Sequence, residues 1–222
     1  MQSTRVVCFD LGGVLVRICR SLAQACERTG LPVRDRPWLE SEAAVNARRT
    51  VMVAYQAGCL STNEYFNGLC GALAERYSLD ELMMLHDAWL IEEYQGALEL
   101  VRQVAGLAGV TAACLSNTNE RHWRALAAED GRGPYPSVMA LERRFASHLL
   151  GLNKPEPAIF SAFERAMSVR GPEILFFDDS SENVAAARDA GWRAELIDPN
   201  GDTVAQMRQH LASAGVFVES VV

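Results

Sequence analysis

The sequence predicts an α/β fold, a doubly wound parallel sheet with a small helical cap inserted after the first strand. Three observations predict it. Short apolar runs alternate with helical periodicity through the second half of the chain, the pattern of strand–helix units in a parallel sheet. Three of those runs stop on polar residues, at Asp10, at Ser116-Asn117 and at Asp178-Asp179. Roughly a hundred residues separate the first stop from the second, whereas one strand–helix–strand crossover needs about thirty. The excess reads as helical. The division expected is a core of residues 1–16 and 95–222 and a cap of residues 17–94.

The first strand lies in Arg5 to Val16, RVVCFDLGGVLV. Its apolar run is rich in β-branched residues and reads as a strand buried on both faces. Gly12 and Gly13 then turn the chain and keep side chains away from Asp10. Ile18 to Thr29 reads as a helix stopped by Gly30 and Pro32. Trp38 to Tyr55 continues at helical spacing until Gly58. Ser61-Thr62-Asn63-Glu64 fits a capping box opening a helix with Tyr65, Phe66, Leu69 and Leu73. Leu79 to Ile91 supplies another, with Leu82, Leu85, Trp89 and Leu90 inward. No strand is expected inside the insertion, and its Trp and Tyr residues are expected in its own core.

Ala97 to Leu107 is the helix returning to the second strand, Val110 to Leu115. Glu120 to Ala128 is a helix, Gly131 to Pro136 a loop, and Phe145-Ala146-Ser147 a short strand. Pro157 to Met167 carries its proline in the first helical turn, where it is tolerated. Ile174 to Phe177 is the third apolar run. Asn183 to Ala190 is a helix closed by Gly191, Ala194 to Ile197 a strand, and Asp202 to Ala214 the last helix. No repeat or low-complexity tract interrupts this order.

The apolar content of 49% and charged content of 22% are those of an ordinary globule. A net charge of -7 argues against nucleic acid as a partner while leaving room for a local cationic pocket. The six cysteines (Cys8, Cys19, Cys26, Cys59, Cys70, Cys114) show no metal-ligand spacing and read as reduced thiols of a cytoplasmic protein. No apolar stretch is long enough to span a bilayer, and no signal peptide is recognisable. A monomer or a homodimer is expected.

Ligands of open α/β sheets bind beyond the carboxyl ends of the strands, where Asp10, Ser116 and the acidic pair all fall. An aspartate can attack phosphorus and form an acyl phosphate, dividing one hard hydrolysis into two steps. Nucleophile and substrate are both anions, and Mg²⁺ held by carboxylates and substrate oxygen screens them. Asp10 and Asp178-Asp179 supply carboxylates for it. Lys154, in a loop before a helix, neutralises further charge. Ser116 can donate to a phosphoryl oxygen, and the amides after Ser116-Asn117 offer an anion site. Asn183 supports the metal site or Lys154, or else caps its helix. Arg17 and Arg20 either reach an anionic substrate under the cap or form a solvated face, the second being the usual reading of such charges. The four histidines share no ligand spacing and read as structural or surface residues.

In this order the motifs FDLGGVL, LSNTN, GLNKPEP and FFDD resemble those of the haloacid dehalogenase-like hydrolase superfamily. They are similar to its branch containing the bacterial α-D-glucose-1-phosphate phosphatase, whose first motif also has glycine in place of the second aspartate. The resemblance implies a Rossmann-type core and a cap that selects substrate. It implies Asp10 as nucleophile, with Ser116, Asn117 and Lys154 around the phosphate. Asp10, the backbone carbonyl of Gly12 and Asp179 would bind Mg²⁺, with Asp178 in support. In most phosphatases of the family the residue at the Gly12 position is an Asp that protonates the leaving group. Losing a positioned acid costs roughly 10²–10⁴-fold.

The expectation is therefore a Mg²⁺-dependent phosphatase of a small phosphorylated metabolite, sugar phosphates included. Its substrate has a good leaving group, or a cap residue supplies the acid, or turnover is weak. The alternatives are a 2-haloacid dehalogenase, which in this family needs no metal, and a phospho-ligand-binding protein without turnover. A receiver domain uses similar residues in a different chain order.

Overall fold

The computed structural model describes residues 3–128 and 133–216. At its centre β1 (Val6–Phe9) lies between β4 (Thr111–Ser116) and β6 (Ile174–Asp178), with β5 (Arg143–Ala146) and β7 (Arg193–Leu196) at the edges. Every pairing in this five-stranded sheet is parallel, in the order β5-β4-β1-β6-β7. Alternation along the strands divides the core into two layers. Val7, Phe9, Ala112, Cys114, Leu175 and Phe177 pack on one face. Val6, Cys8, Ala113, Leu115, Ile174 and Phe176 pack on the other. Each fully buried Val, Leu or Phe contributes about 1.5–3 kcal/mol, so β1, β4 and β6 are anchored from both sides.

The segment between β1 and β4 departs from expectation most clearly in its strands. It contains a two-stranded antiparallel sheet, β2 (Val16–Ile18) with β3 (Leu90–Glu93), pairing Val16 with Glu93 and Arg17 with Glu92. Both strands are too short to show alternation, and Leu90 continues the helical spacing of Leu82 and Leu85. Between them lie α1 (Leu22–Thr29), α2 (Arg36–Leu39), α3 (Glu42–Gln56), α4 (Thr62–Ala72) and α5 (Leu79–Asp87). The helix expected from Ile18 starts instead at Leu22, capped by the Ser21 hydroxyl. The one expected from Trp38 is broken before Ser41, which caps α3 by accepting from the Ala44 amide. The Ser61–Glu64 capping box is formed as predicted. Tyr55, Tyr65, Phe66, Tyr77, Leu82 and Leu85 form a third apolar cluster, separate from the two sheet layers.

The remaining elements follow the predicted order within one to three residues at each end. They are α6 (Ala97–Ala105), α7 (Glu120–Leu126), α10 (Pro157–Met167), α11 (Ser181–Asp189) and α12 (Thr203–Ser213), while the short helices α8 (Pro136–Met139) and α9 (Ser147–Leu150) are additions, Ser147 opening a helix where a strand end was expected. Part of the loop expected over 131–136 lies outside the described residues. All six cysteines are free thiols. Among the described residues no helix is long and apolar enough to cross a membrane.

Candidate active site

Parallel register brings the three motif-bearing strand ends to one level. Phe9 pairs with Cys114 on one side and Phe177 on the other, and the Asp10 amide donates to the Phe177 carbonyl at 2.8 Å. The next residues on those strands are Leu115 and Asp178. Carboxylate oxygens of Asp10, Asp178 and Asp179 consequently lie within 4.8 Å of one another.

Lys154 enters this acidic cluster from the loop before α10. Its side chain is fully buried, with Nζ 2.6 Å from Asp178 Oδ2 and 3.1 Å from Asp10 Oδ1. It also donates to the Leu115 carbonyl at 2.7 Å. Burial works against its charge, but Asp10 and Asp178 more than offset that and hold the ammonium above the ordinary lysine range. The opposite balance holds at Asp10. Burial there outweighs the attraction of Lys154, and with the Asp178 and Asp179 charges it pushes the carboxyl up to about 7, the Ser116 hydroxyl drawing it down a little. Asp179 is raised for the same first reason, burial, against the pull of Arg20.

Around this centre the supporting residues have separate tasks. Asn117 forms a reciprocal pair with the Lys154 backbone, Nδ2 to the carbonyl and Oδ1 from the amide, both at 2.8 Å. Its side chain therefore locks the lysine loop to the end of β4. Asn183 Nδ2 donates to both oxygens of Asp178, at 3.0 and 3.1 Å, while the helix-capping role falls to Ser180. Gly13 has φ +82, and a Cβ there would collide with the Arg20 guanidinium and the Asp179 carboxylate. That close approach explains the second glycine of the motif.

The reading of Arg20 as part of a solvated face needs correction, whereas His86 and His122 are structural residues, as expected. Arg20 is no solvated bystander: its Nη1 lies 2.5 Å from Asp179 Oδ2. Arg17 is held on the β2–β3 pair, 3.6 Å from Glu92 and over the Tyr94 ring. His86 on α5 and His122 on α7 stack with ring centroids 3.9 Å apart. Both contact the Asn119 side chain, and His122 Nε2 donates to the His86 carbonyl at 2.8 Å. Their separation in sequence hid this contact.

The site opens into a cavity of about 500 Å³ between the sheet end and the inserted helices. Gly12, Ser116 and Asn117 line one part, and Arg48 and Met52 of α3 another. The cation-binding chemistry of the acidic cluster has a direct structural test. Asp10 Oδ1 is buried and, apart from the approach of Lys154, accepts no hydrogen bond. Three clustered carboxylates with one such oxygen suit a small hard cation.

Known proteins share this fold and parts of this sequence. A family model described as haloacid dehalogenase-like hydrolase matches residues 4–191. The chain is 36% identical over 74 residues to Phosphatase MT3486 of Mycobacterium tuberculosis, a match covering 33% of this chain and 34%, about a third, of that relative's length. It is 28% identical over 205 residues to D-ribitol-5-phosphate phosphatase of Bacteroides thetaiotaomicron, covering 86% of this chain and 95% of that one. Its fold resembles a HAD family enzyme of Bacteroides thetaiotaomicron solved with magnesium and inorganic phosphate, with TM-score 0.70 at 20% identity over 90% of this chain and 97% of that one. On the match over residues 4–191, carried by this fold, the chain belongs to the haloacid dehalogenase-like hydrolases.

Proposed function

We propose that this protein is a Mg²⁺-dependent phosphatase of a small phosphorylated metabolite, working through an aspartyl-phosphate on Asp10. The observation that carries the reading is the convergence of Asp10, Asp178 and Asp179 within 4.8 Å about a buried lysine. Two relatives named as phosphatases, and a similar fold solved with magnesium and phosphate, support it. Asp10, Asp179 and the Gly12 carbonyl would hold the Mg²⁺. When bound, the ion screens the charge between carboxylate and phosphate.

A carboxylate oxygen of Asp10 attacks phosphorus, the ester P–O bond breaks, and the leaving oxygen takes the electron pair. Water then attacks the phosphorus of the acyl phosphate. The bond to Asp10 breaks, the carboxylate is restored, and the water's proton leaves with phosphate. Lys154 keeps a fixed positive charge beside Asp10, Ser116 donates to a phosphoryl oxygen, and Asn117 positions Lys154. Asp178, saturated by Lys154, Ser180 and Asn183, holds that lysine in place.

With Gly12 in the acid position, no Asp or Glu lines the cavity among the described residues. The ring nitrogens of His86 and His122 are occupied by Asn119, Tyr65 and the His86 carbonyl. The leaving oxygen thus departs without a positioned acid, which favours acidic leaving groups such as phenols, enols and anomeric hydroxyls. A panel of phosphate esters spanning leaving-group acidity, assayed with and without Mg²⁺, tests the reading. Phosphate release is expected to require Mg²⁺, to rise with leaving-group acidity and to vanish in Asp10→Asn. Metal-independent release of halide from a 2-haloacid would replace it with the dehalogenase reading.

A further inference from the structure

The charge of the cavity is opposite to that of the chain. Its charged lining residues, among those described, are Arg20, Arg48 and Arg49, and no carboxylate lies among them, in a protein of net charge -7. Arg20 is neutralised by Asp179. Arg48 has no such partner among the described residues. Its guanidinium is partly buried, and its Nη1 is fully buried without a hydrogen bond among the described residues. Leaving a buried charged donor unsatisfied is costly, and the described residues supply Arg48, which lines the cavity, with no carboxylate partner.

The setting of Arg48 says what an acceptor for it would be attached to. Val45, Arg48, Met52 and Gln56 recur at spacings of three and four along α3, one face of the helix, and all four line the cavity. Val45 and Met52 are large apolar side chains left 42% and 41% exposed there. Across the cavity Leu22 and Trp89 present further apolar surface. The face is fixed relative to the acidic cluster. Asn153, next to Lys154, donates to the Val53 carbonyl at 3.0 Å, and Ser147 donates to the Gln56 carbonyl at 2.7 Å.

We propose that Arg48 is a specificity-determining residue, pairing with a second oxyanion, a carboxylate or a second phosphate, on a phosphate ester with an apolar body. The inference rests on the phosphatase reading and names its substrate class. Charge-assisted hydrogen bonds of this kind discriminate about 10- to 100-fold.

Three esters with the same phenolic leaving group test it: 4-propylphenyl phosphate, its 3-carboxyl analogue 3-(4-phosphonooxyphenyl)propanoate, and the analogue bearing a terminal phosphate. Wild-type protein is expected to favour one charged ester over the neutral one by about 10- to 100-fold in kcat/KM, mainly through KM. Which charged ester is favoured identifies the oxyanion. Arg48→Met is expected to bring the charged-to-neutral ratio close to one, and Arg48→Lys to restore part of it. Calorimetric binding to Asp10→Asn separates the two readings. Hydrolysis without an Arg48-dependent preference overturns this inference and leaves the phosphatase standing. Absence of hydrolysis, with Arg48-dependent binding of a charged ester, overturns the phosphatase and upholds the site. Neither hydrolysis nor binding of any ester overturns both.

Discussion

At the scale of single residues, the site is a balance of charges decided by burial. Three carboxylates face one fully buried ammonium, so one negative charge in the cluster lacks a fixed cation even after Arg20 takes Asp179. The glycines are as specific as the charged groups. Ala at position 13 would need a left-handed backbone, costing roughly 1–2 kcal/mol. Its Cβ would also press on the Asp179 carboxylate and the Arg20 guanidinium. Gly13→Ala is therefore expected to weaken Mg²⁺ dependence and activity together, by at least about tenfold, an effect of about 1.4 kcal/mol on the rate barrier. A Mg²⁺ titration of activity beside urea denaturation checks it; a variant with wild-type Mg²⁺ response would contradict the close approach.

Among the secondary elements, legibility followed the continuity of the apolar run. β1, β4 and β6 were readable because each is a continuous apolar run ending on a polar residue, and the Ser61 helix because its capping box is local in sequence. The β2–β3 pair was not readable, since three or four residues carry no period and the partners are some seventy residues apart. The acidic pair and the serine were legible from their place at strand ends, and the lysine, in the loop before α10, only from the motif that carries the family resemblance. Arg20 and the His86–His122 stack were not, because each depends on a partner brought in by the tertiary fold.

That stack predicts the pH response of the α5–α7 contact. Burial is the main cause holding His86 well below the usual histidine value of 6.5, with His122 adding to it, and burial likewise lowers His122. Asn119 accepts from His86, Asp87 and Arg121 lie beside the pair, and Tyr65 closes it from α4. A histidine depressed in the folded state binds fewer protons there than when unfolded. Its stabilising contribution is complete above pH 6.5 and is lost progressively as pH falls below that value. Asp10, raised to about 7, acts in the opposite sense, so the stack is read by difference: in urea denaturation from pH 8 to pH 5, His86→Gln should lose less stability below about 6.5 than the wild type does. An equal loss in the variant would show that other groups set it.

For the molecule as a whole, the inserted helices and the sheet meet over the strand ends and are held by polar contacts at several points. These include Thr62 with Glu120, Arg121 with Asp87, and Asn153 with the end of α3. The outcome is an arginine-lined, largely apolar cavity above an acidic cluster, within an acidic protein. The central claim is that one of those carboxylates, Asp10, carries the phosphoryl group in transit. Acid quenching during turnover of an aryl phosphate with Mg²⁺, followed by mass analysis of peptides, tests it most directly. The account predicts one added phosphoryl group on the peptide containing Asp10, dependent on Mg²⁺ and absent in Asp10→Asn. Rapid release of phosphate with that peptide unmodified, or with the group on another residue, would contradict it.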